Sequence, residues 1–123
     1  MRTIIIITAF FALSLSAFGQ VVDIPTFTVG SNDVVQSSIM VFHLTGTNQT
    51  GVTVKFAFTD TGAKRLEEFY RAHTIGEDFR WQIGSFVWQR SKLNDRKFFG
   101  RESFWGLPET DAKALEAGLR GQL

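Results

Sequence analysis

The sequence predicts an α+β domain in which a small mixed sheet of about five strands carries two helices on one face. Three observations predict this class. Residues 52–58 alternate apolar with small or polar side chains, which is typical of a half-buried strand. A helical period follows over about 60–74, and two short aromatic strands at 79–83 and 86–89 come next. A second helical stripe then ends at Gly121.

Residues 1–19 have the pattern of a cleavable signal peptide. Arg2 precedes an apolar run to Phe18, and small residues stand at positions −3 and −1 of a cut before Gln20. The alternative is an uncleaved anchor, but roughly 15 apolar residues fall short of the about 20 that a spanning helix needs. We therefore expect residues 20–123 to form one domain, without an integral membrane span, in the periplasm or outside a bacterial cell.

The first predicted strand of the domain covers residues 38–45, after an extended lead-in at 23–29 and a turn-like cluster at 30–33. Its core-facing residues are expected to be Met40, Phe42 and Leu44. His43 alternates with them and is expected to point into solvent. A polar loop joins this strand to 52–58 as a hairpin.

The first helix begins after Thr59 and Asp60, whose side-chain oxygens are suited to capping free amides. Its predicted apolar face consists of Ala63, Leu66, Phe69, Tyr70 and His73. Gly76 ends it. Because a strand that leads into a helix and back into a strand usually makes a right-handed parallel crossover, we expect one between 52–58 and 79–83.

The two aromatic strands are joined by Gly84-Ser85, which fits a two-residue type II′ turn. This turn places Ile83 opposite Phe86. It also places Trp81 opposite Trp88, so the two indoles share one face. Paired aromatic rings on one sheet face favour a core position over a ligand platform.

Residues 91–106 are the least regular part of the sequence, and we expect a loop followed by a short strand around 99–104. Pro108 suits the first turn of the last helix. The core stripe of that helix is expected to be Ala112, Leu115 and Leu119, and Gly121 ends it.

Charge and cysteine content limit the class of protein. The chain has no cysteine, so the domain folds without disulfides. Without Arg2, basic and acidic residues are equal in number, and the mature protein is neutral. The segment 80–105 is locally basic, which makes the molecule polarised rather than basic overall.

Four short motifs, taken in order, carry a family resemblance. They are Asp33-Val34, then Val54-Lys-Phe-Ala-Phe-Thr-Asp-Thr-Gly62-Ala63, then Phe69 with Thr74-Ile-Gly76, and finally Leu107-Pro-Glu-Thr-Asp111-Ala112 with Leu115, Leu119 and Gly121. Over about residues 30–121 this order resembles the head subdomain of the first periplasmic domain of SecD and SecDF, accessory subunits of the bacterial preprotein translocase. The hairpin turn departs from the family, which usually has Asp-Gly where this chain has Gly84-Ser85. The resemblance implies a free-standing, non-catalytic module that engages polypeptide.

No residue pattern predicts catalysis, a metal site or a cofactor. His73 lies on the helix stripe near its end, where an imidazole bonds free carbonyls. Its spacing to Glu77 is that of a metal-binding pair, but the pair crosses Gly76 and has no third ligand. Glu67 and Arg71 form an ordinary i,i+4 pair. No phosphate-binding loop or nucleophile motif is present. We therefore expect a protein that is not an enzyme and that needs no cofactor or metal.

The candidate binding site is the basic and aromatic stretch near residues 90–105. Its residues are Arg90, Lys92, Arg96, Lys97, Phe98, Arg101 and Trp105. Such a mixture binds single-stranded nucleic acid, an anionic membrane surface, or an acidic or unfolded polypeptide. We expect no nucleic-acid partner, because the protein is neutral and exported. The alternative is that Phe99 and Phe104 enter the core while the charges only solvate a loop.

The sequence thus predicts an exported accessory module that holds unfolded or extended polypeptide through a sheet edge and this stretch. The competing hypothesis is a dedicated interaction or inhibitor protein of the bacterial envelope with one folded partner. A small hydrolase with an unrecognised site is the third. The sequence leaves the partner and the oligomeric state open.

Overall fold

The computed structural model describes residues 24–45 and 50–122, where the chain is α+β with two helices and two small three-stranded sheets. The predicted signal peptide and its cleavage site lie outside the described residues. The strands are β1 (Thr26–Val29), β2 (Met40–Thr45), β3 (Thr50–Ala57), β4 (Asp78–Ile83), β5 (Phe86–Lys92) and β6 (Arg101–Leu107). The α-helices are α1 (Asp60–Arg71) and α2 (Glu109–Leu119), and short 3₁₀ helices lie at Ser31–Asp33 and Gln36–Ser38.

The strands form two sheets instead of the single sheet that the sequence predicts. In the mixed sheet, with the order β1-β4-β5, β1 is parallel to β4 and β4 is antiparallel to β5. In the antiparallel sheet the order is β2-β3-β6. The predicted parallel crossover from β3 to β4 is therefore wrong. Both sides of β3 are filled by antiparallel neighbours, and β4 takes its parallel partner from the lead-in strand β1.

The β4–β5 hairpin has the predicted register. Ile83 pairs with Phe86, and Trp81 pairs with Trp88. Gly84 has a φ of 61°, the left-handed conformation that the first position of such a turn requires. Beyond the tryptophans the pairing shifts, and β5 continues to Lys92 instead of ending at residue 89.

The two sheets share one hydrophobic core. Trp81 of the mixed sheet packs edge-on against Phe104 of the antiparallel sheet, with ring centroids 5.6 Å apart, and stacks at 6.4 Å on Phe58. Phe86 and Trp88 also contact Phe104, at 5.5 and 5.6 Å. The prediction that both indoles belong to the core is confirmed, since Trp81 is buried and the half-buried Trp88 packs against the core.

Helix α1 has the predicted cap and the predicted apolar face. The Thr59 Oγ1 accepts a hydrogen bond from the Gly62 amide at 3.1 Å. Its buried or half-buried apolar residues are Ala63, Leu66, Phe69 and Tyr70. The helix ends at Arg71, before the predicted end near residue 74. His73 then lies with its Nδ1 2.7 Å from the Phe69 carbonyl oxygen, as expected of an imidazole at a helix end.

Helix α2 buries the predicted stripe of Ala112, Leu115 and Leu119. Pro108 is the N-cap residue and precedes the first turn instead of lying in it. Gly121, with a φ of 73°, follows the end of the helix as predicted.

The orientation of β2 is opposite to the prediction. Met40 and Phe42 are 51% and 39% exposed, whereas Val41 packs against the core. Leu44 is half-buried. The cause is the strand pairing: Val41 lies directly opposite the fully buried Val54, so its neighbours along the strand point to the other side of the sheet.

Strand β6 lies further along the chain than the predicted 99–104. One extra residue in β6 shifts its pairing with β3, and Gly106 adopts a φ of 65° there. This bulge allows both Phe104 and Leu107 to be buried. Trp105, between Phe104 and the bulge, points away from the core.

Candidate functional site

The structure distributes the predicted binding residues over three places. Arg90 and Lys92 lie on β5, Arg96, Lys97 and Phe98 lie in the loop 93–100, and Arg101 and Trp105 lie on β6. The sequence treats them as one irregular stretch, but the extension of β5 and the position of β6 divide that stretch into two strands and a loop.

Arg96 is bonded to its own loop and to the strand that follows. Its Nη1 donates to the Glu102 carboxylate at 2.6 Å. Its Nη2 donates to the Arg101 carbonyl at 2.6 Å, and its Nε donates to the Phe98 carbonyl at 2.7 Å. These bonds occupy the guanidinium, which therefore holds the loop in place.

The surroundings of Arg96 also favour its charged form. The guanidinium lies over the rings of Tyr70 and Phe99, 5.8 and 5.5 Å from their centroids. Burial lowers the pKa of Arg96, but the Glu102 carboxylate, the hydrogen bond to it and the Tyr70 hydroxyl together more than offset this, so the pKa lies above its ordinary value. A cation with a raised folded-state pKa stabilises the fold at every pH below its unfolded pKa, and the contribution is lost only as the pH rises through the folded pKa. The contribution of Arg96 is therefore fully present at neutral pH.

Replacing Arg96 with alanine is expected to lower the free energy of unfolding by about 2 kcal/mol, because the Glu102 carboxylate and two carbonyls lose a charged donor. Urea unfolding measures the effect. The matched control is Lys97→Ala on the exposed neighbour, which is expected to change stability by less than about 0.5 kcal/mol. Equal unfolding midpoints for the two variants would contradict a structural role for Arg96.

The remaining members of the predicted set are exposed. The Lys92 ammonium lies 2.9 Å from the Asp78 carboxylate, and the Lys97 ammonium lies 3.5 Å from the Asp95 carboxylate. Phe98 is an exposed apolar residue of the loop. Phe104 is in the core and Phe99 is half-buried against it, as the alternative reading expects.

The antiparallel sheet has an apolar surface on the side that faces away from the core, which we call the outer face. Its outward residues include Met40, Phe42, Lys55, Arg101, Ser103 and Trp105. Trp105 is 60% exposed. The Lys55 ammonium lies 5.0 Å from the centroid of the Trp105 ring and 5.7 Å from that of Phe42. A depression of about 320 Å³ lies between Met40, Lys55 and Arg101.

The corresponding face of the mixed sheet is polar. Its outward residues include Thr26, Thr28, Arg80, Gln82, Val87 and Gln89. A sheet with one packed face and one polar, solvated face is the usual arrangement in antiparallel structure. The outer face departs from it, and an exposed apolar surface with a polar rim is typical of an interaction site.

The strand β2 forms an open edge beside the outer face. At the other three sheet edges, a side chain donates to a main-chain carbonyl. Arg65 donates to Thr28 in β1, Trp88 donates to Arg90 in β5, and Arg96 donates to Arg101 in β6. Within residues 24–45 and 50–122, no side chain bonds to the main chain of β2. Among the described residues no strand pairs with this edge of β2, and the unpaired N–H and C=O groups of such an edge are a template for pairing with another strand.

Sequence reasoning missed Met40, Phe42 and Lys55 as candidate binding residues. It assigned the first two to the core because, with Leu44, they are the apolar residues on one side of the predicted strand. Lys55 is the residue in the sequence that indicates this face. It lies between the apolar Val54 and Phe56 in the middle of a strand, so its side of β3 is the one that faces solvent. The missing information was the register that places Met40 opposite Lys55.

The described residues contain no cluster suited to metal binding: nowhere among them do three or more His, Cys, Asp or Glu side chains converge. His43 is exposed, but it lies on the side of β2 that carries Val41, opposite the buried Val52, and not on the outward side that the sequence predicts. Its Nε2 lies 3.7 Å from the exposed Glu109 carboxylate. None of the helices in the described part of the chain is long and apolar enough to cross a membrane.

Comparisons with known proteins leave the family open. No protein-family model, curated protein or solved structure matches the chain. The resemblance to the SecD and SecDF head therefore stays a prediction, and a functional proposal rests on the outer face and the β2 edge.

Proposed function

We propose that this protein is a non-catalytic, exported binding module that holds unfolded or extended polypeptide along β2. The observation that carries the proposal is the open main chain of β2 beside the exposed apolar outer face. The signal-peptide pattern of residues 1–19 supports a location in the periplasm or outside a bacterial cell. The SecD and SecDF head resemblance points to the same class of ligand.

Strand addition explains how such a module binds without strong sequence selection. An extended segment that pairs with β2 bonds through its main chain, which every polypeptide has. Its alternate side chains then lie on the outer face next to Met40 and Phe42. These contacts add apolar burial of about 25 cal/mol per Å². The ligand is therefore defined by its extended shape first and by its side chains second.

A titration of the protein with an unfolded polypeptide that lacks a signal peptide tests the proposal. We expect saturable binding, and we expect Phe42→Lys to weaken it about tenfold or more, because a charge next to the β2 edge opposes strand addition and removes apolar contact. Fluorescence anisotropy of a labelled polypeptide measures the dissociation constant.

The matched control is Val87→Lys, which introduces the same charge at a residue on the edge strand β5. Val87 is 38% exposed and Phe42 is 39% exposed, so the two changes have similar effects on folding. Val87→Lys is expected to leave the affinity within about twofold of the unchanged protein. Absence of saturable binding, or an equal loss in the two variants, would count against strand addition at β2.

The second candidate function is a dedicated interaction or inhibitor protein with one folded partner. The exposure of Trp105 favours it, since tryptophan is enriched among the residues that dominate protein–protein affinity. A pull-down from envelope extract that recovers one folded protein in stoichiometric amount would favour this function, provided that the Trp105→Ala variant no longer recovers that protein. Competition by unfolded polypeptide for the same surface would favour strand addition.

A further inference from the structure

The outer face presents a positive charge in apolar surroundings. The Lys55 ammonium lies within 5.7 Å of the Phe42 centroid and 5.0 Å of the Trp105 centroid. The two rings attract the cation and hold it over the sheet instead of leaving it free in solvent. Lys55 is thus a charge with a defined place beside the β2 edge.

This charge has no acidic partner in the described part of the chain. Six other basic side chains there lie within 4 Å of a carboxylate, namely Arg65, Arg71, Lys92, Arg96, Lys97 and Arg120, whereas Lys64, Arg80, Arg90 and Lys113 make no such pair among the described residues. Neither Lys55 nor the outward Arg101 makes such a pair among these residues. The three strands β2, β3 and β6 contain one acidic residue, Glu102, and it is taken by Arg96.

We infer that the polypeptide segments that this protein prefers carry an acidic side chain between apolar ones. This inference rests on the proposed strand addition at β2 and adds the chemistry of the ligand. Apolar side chains of the segment lie against Met40 and Phe42, and a carboxylate neutralises the outward cation of Lys55. Charge complementarity of this kind selects partners and registers more than it raises affinity.

The distances allow this contact. Strands in a sheet lie about 4.8 Å apart, so a strand added to β2 runs about 9.6 Å from β3. The Lys55 ammonium lies between two rings of the outer face, 5.7 Å from the Phe42 centroid on β2 and 5.0 Å from the Trp105 centroid on β6. A glutamate on the added strand, placed beside Phe42 on the outer face, extends towards the same ring. The lysine and glutamate side chains, both long and flexible, together span the distance between β3 and the added strand.

Three peptides that differ at one position test the inference. Each is an unstructured segment of alternating apolar and neutral polar residues, with Glu, Gln or Lys at its centre. The Glu peptide is expected to bind about two- to fivefold more tightly than the Gln peptide, which is the range of a partly exposed ion pair, and the Lys peptide more weakly than both. The preference for Glu is expected to shrink as salt rises towards about 1 M, where charges are screened within about 3 Å.

Variants of the protein assign the preference to Lys55. Lys55→Gln is expected to bring the Glu and Gln peptides within about twofold of each other, and Lys55→Glu to reverse the order so that the Lys peptide binds best. The control is Lys64→Glu on the exposed surface of α1, which changes net charge equally and is expected to keep the order of the unchanged protein.

The outcomes separate the two proposals. If all three peptides bind equally and Phe42→Lys weakens them all, strand addition holds and the acidic preference is overturned. If none binds, the proposed function itself fails. If Lys64→Glu removes the preference for the Glu peptide as fully as Lys55→Glu does, the preference comes from net charge and not from a contact between Lys55 and the ligand.

Discussion

Replacing Trp81 with alanine is expected to lower the free energy of unfolding by about 3–5 kcal/mol, the usual cost of deleting a large buried aromatic side chain. Trp81 is 3% exposed and packs edge-on against Phe27 in its own sheet and Phe104 in the other. Its indole also donates to the Ser91 hydroxyl at 3.1 Å. The loss is therefore felt in both sheets, and it is a large share of the about 5–15 kcal/mol that stabilises a domain.

The matched control for Trp81→Ala is Trp105→Ala, the same deletion at an outward position of β6. Its cost is expected to stay below about 1 kcal/mol, because little packing is lost. Circular dichroism during urea unfolding measures both variants without relying on tryptophan fluorescence. Similar midpoints for the two would mean that the sheets do not meet at Trp81.

Replacing Gly118 with alanine is expected to destabilise the domain by about 3 kcal/mol, the upper end for overpacking. In an ordinary helix interior the same change stabilises by about 1 kcal/mol, since glycine is a poor helix former. Here a Cβ on Gly118 would clash with the Ile83 carbonyl oxygen and lie 3.0 Å from the Gly84 amide nitrogen. Both are main-chain atoms of the β4–β5 turn, so α2 and the turn must separate.

The control for Gly118→Ala is Gly30→Ala. The added methyl there would have the Asp33 carboxylate as its nearest neighbour, at an ordinary 3.7 Å, and the backbone φ of −103° suits alanine. A change within about 0.5 kcal/mol is expected, measured by the same urea unfolding. A raised midpoint for Gly118→Ala would show that helix propensity outweighs the contact with the turn.

The elements that sequence reasoning predicted well are those decided by neighbours in the chain. The cap at Thr59 depends on a hydroxyl and an amide three residues apart. The pairing of Trp81 with Trp88 follows from a two-residue turn, because the strands that such a turn joins run antiparallel to each other. The stripe of α2 follows from the helical period alone.

The candidate site could not be predicted in the same way. The sequence placed it in a basic stretch around Arg96, but that guanidinium is bonded to its own loop and to β6. The outer face takes two of its residues, Arg101 and Trp105, from the predicted set. Its other key residues come from β2 and β3, and only the pairing of distant strands brings them together.

The amino-acid sequence alone sets the order of helices and strands, the apolar faces of the two helices, the register of the β4–β5 hairpin and the absence of cysteine. Each of these depends on short-range periodicity, turn chemistry or composition. Tertiary structure alone decided which strands share a sheet and which side of β2 meets water. A period of two divides a strand into two faces but does not say which is buried, since the hydrophobic effect has no direction of its own. For β2 the pairing of Val41 with Val54 made that choice and left Met40 and Phe42 exposed beside Lys55.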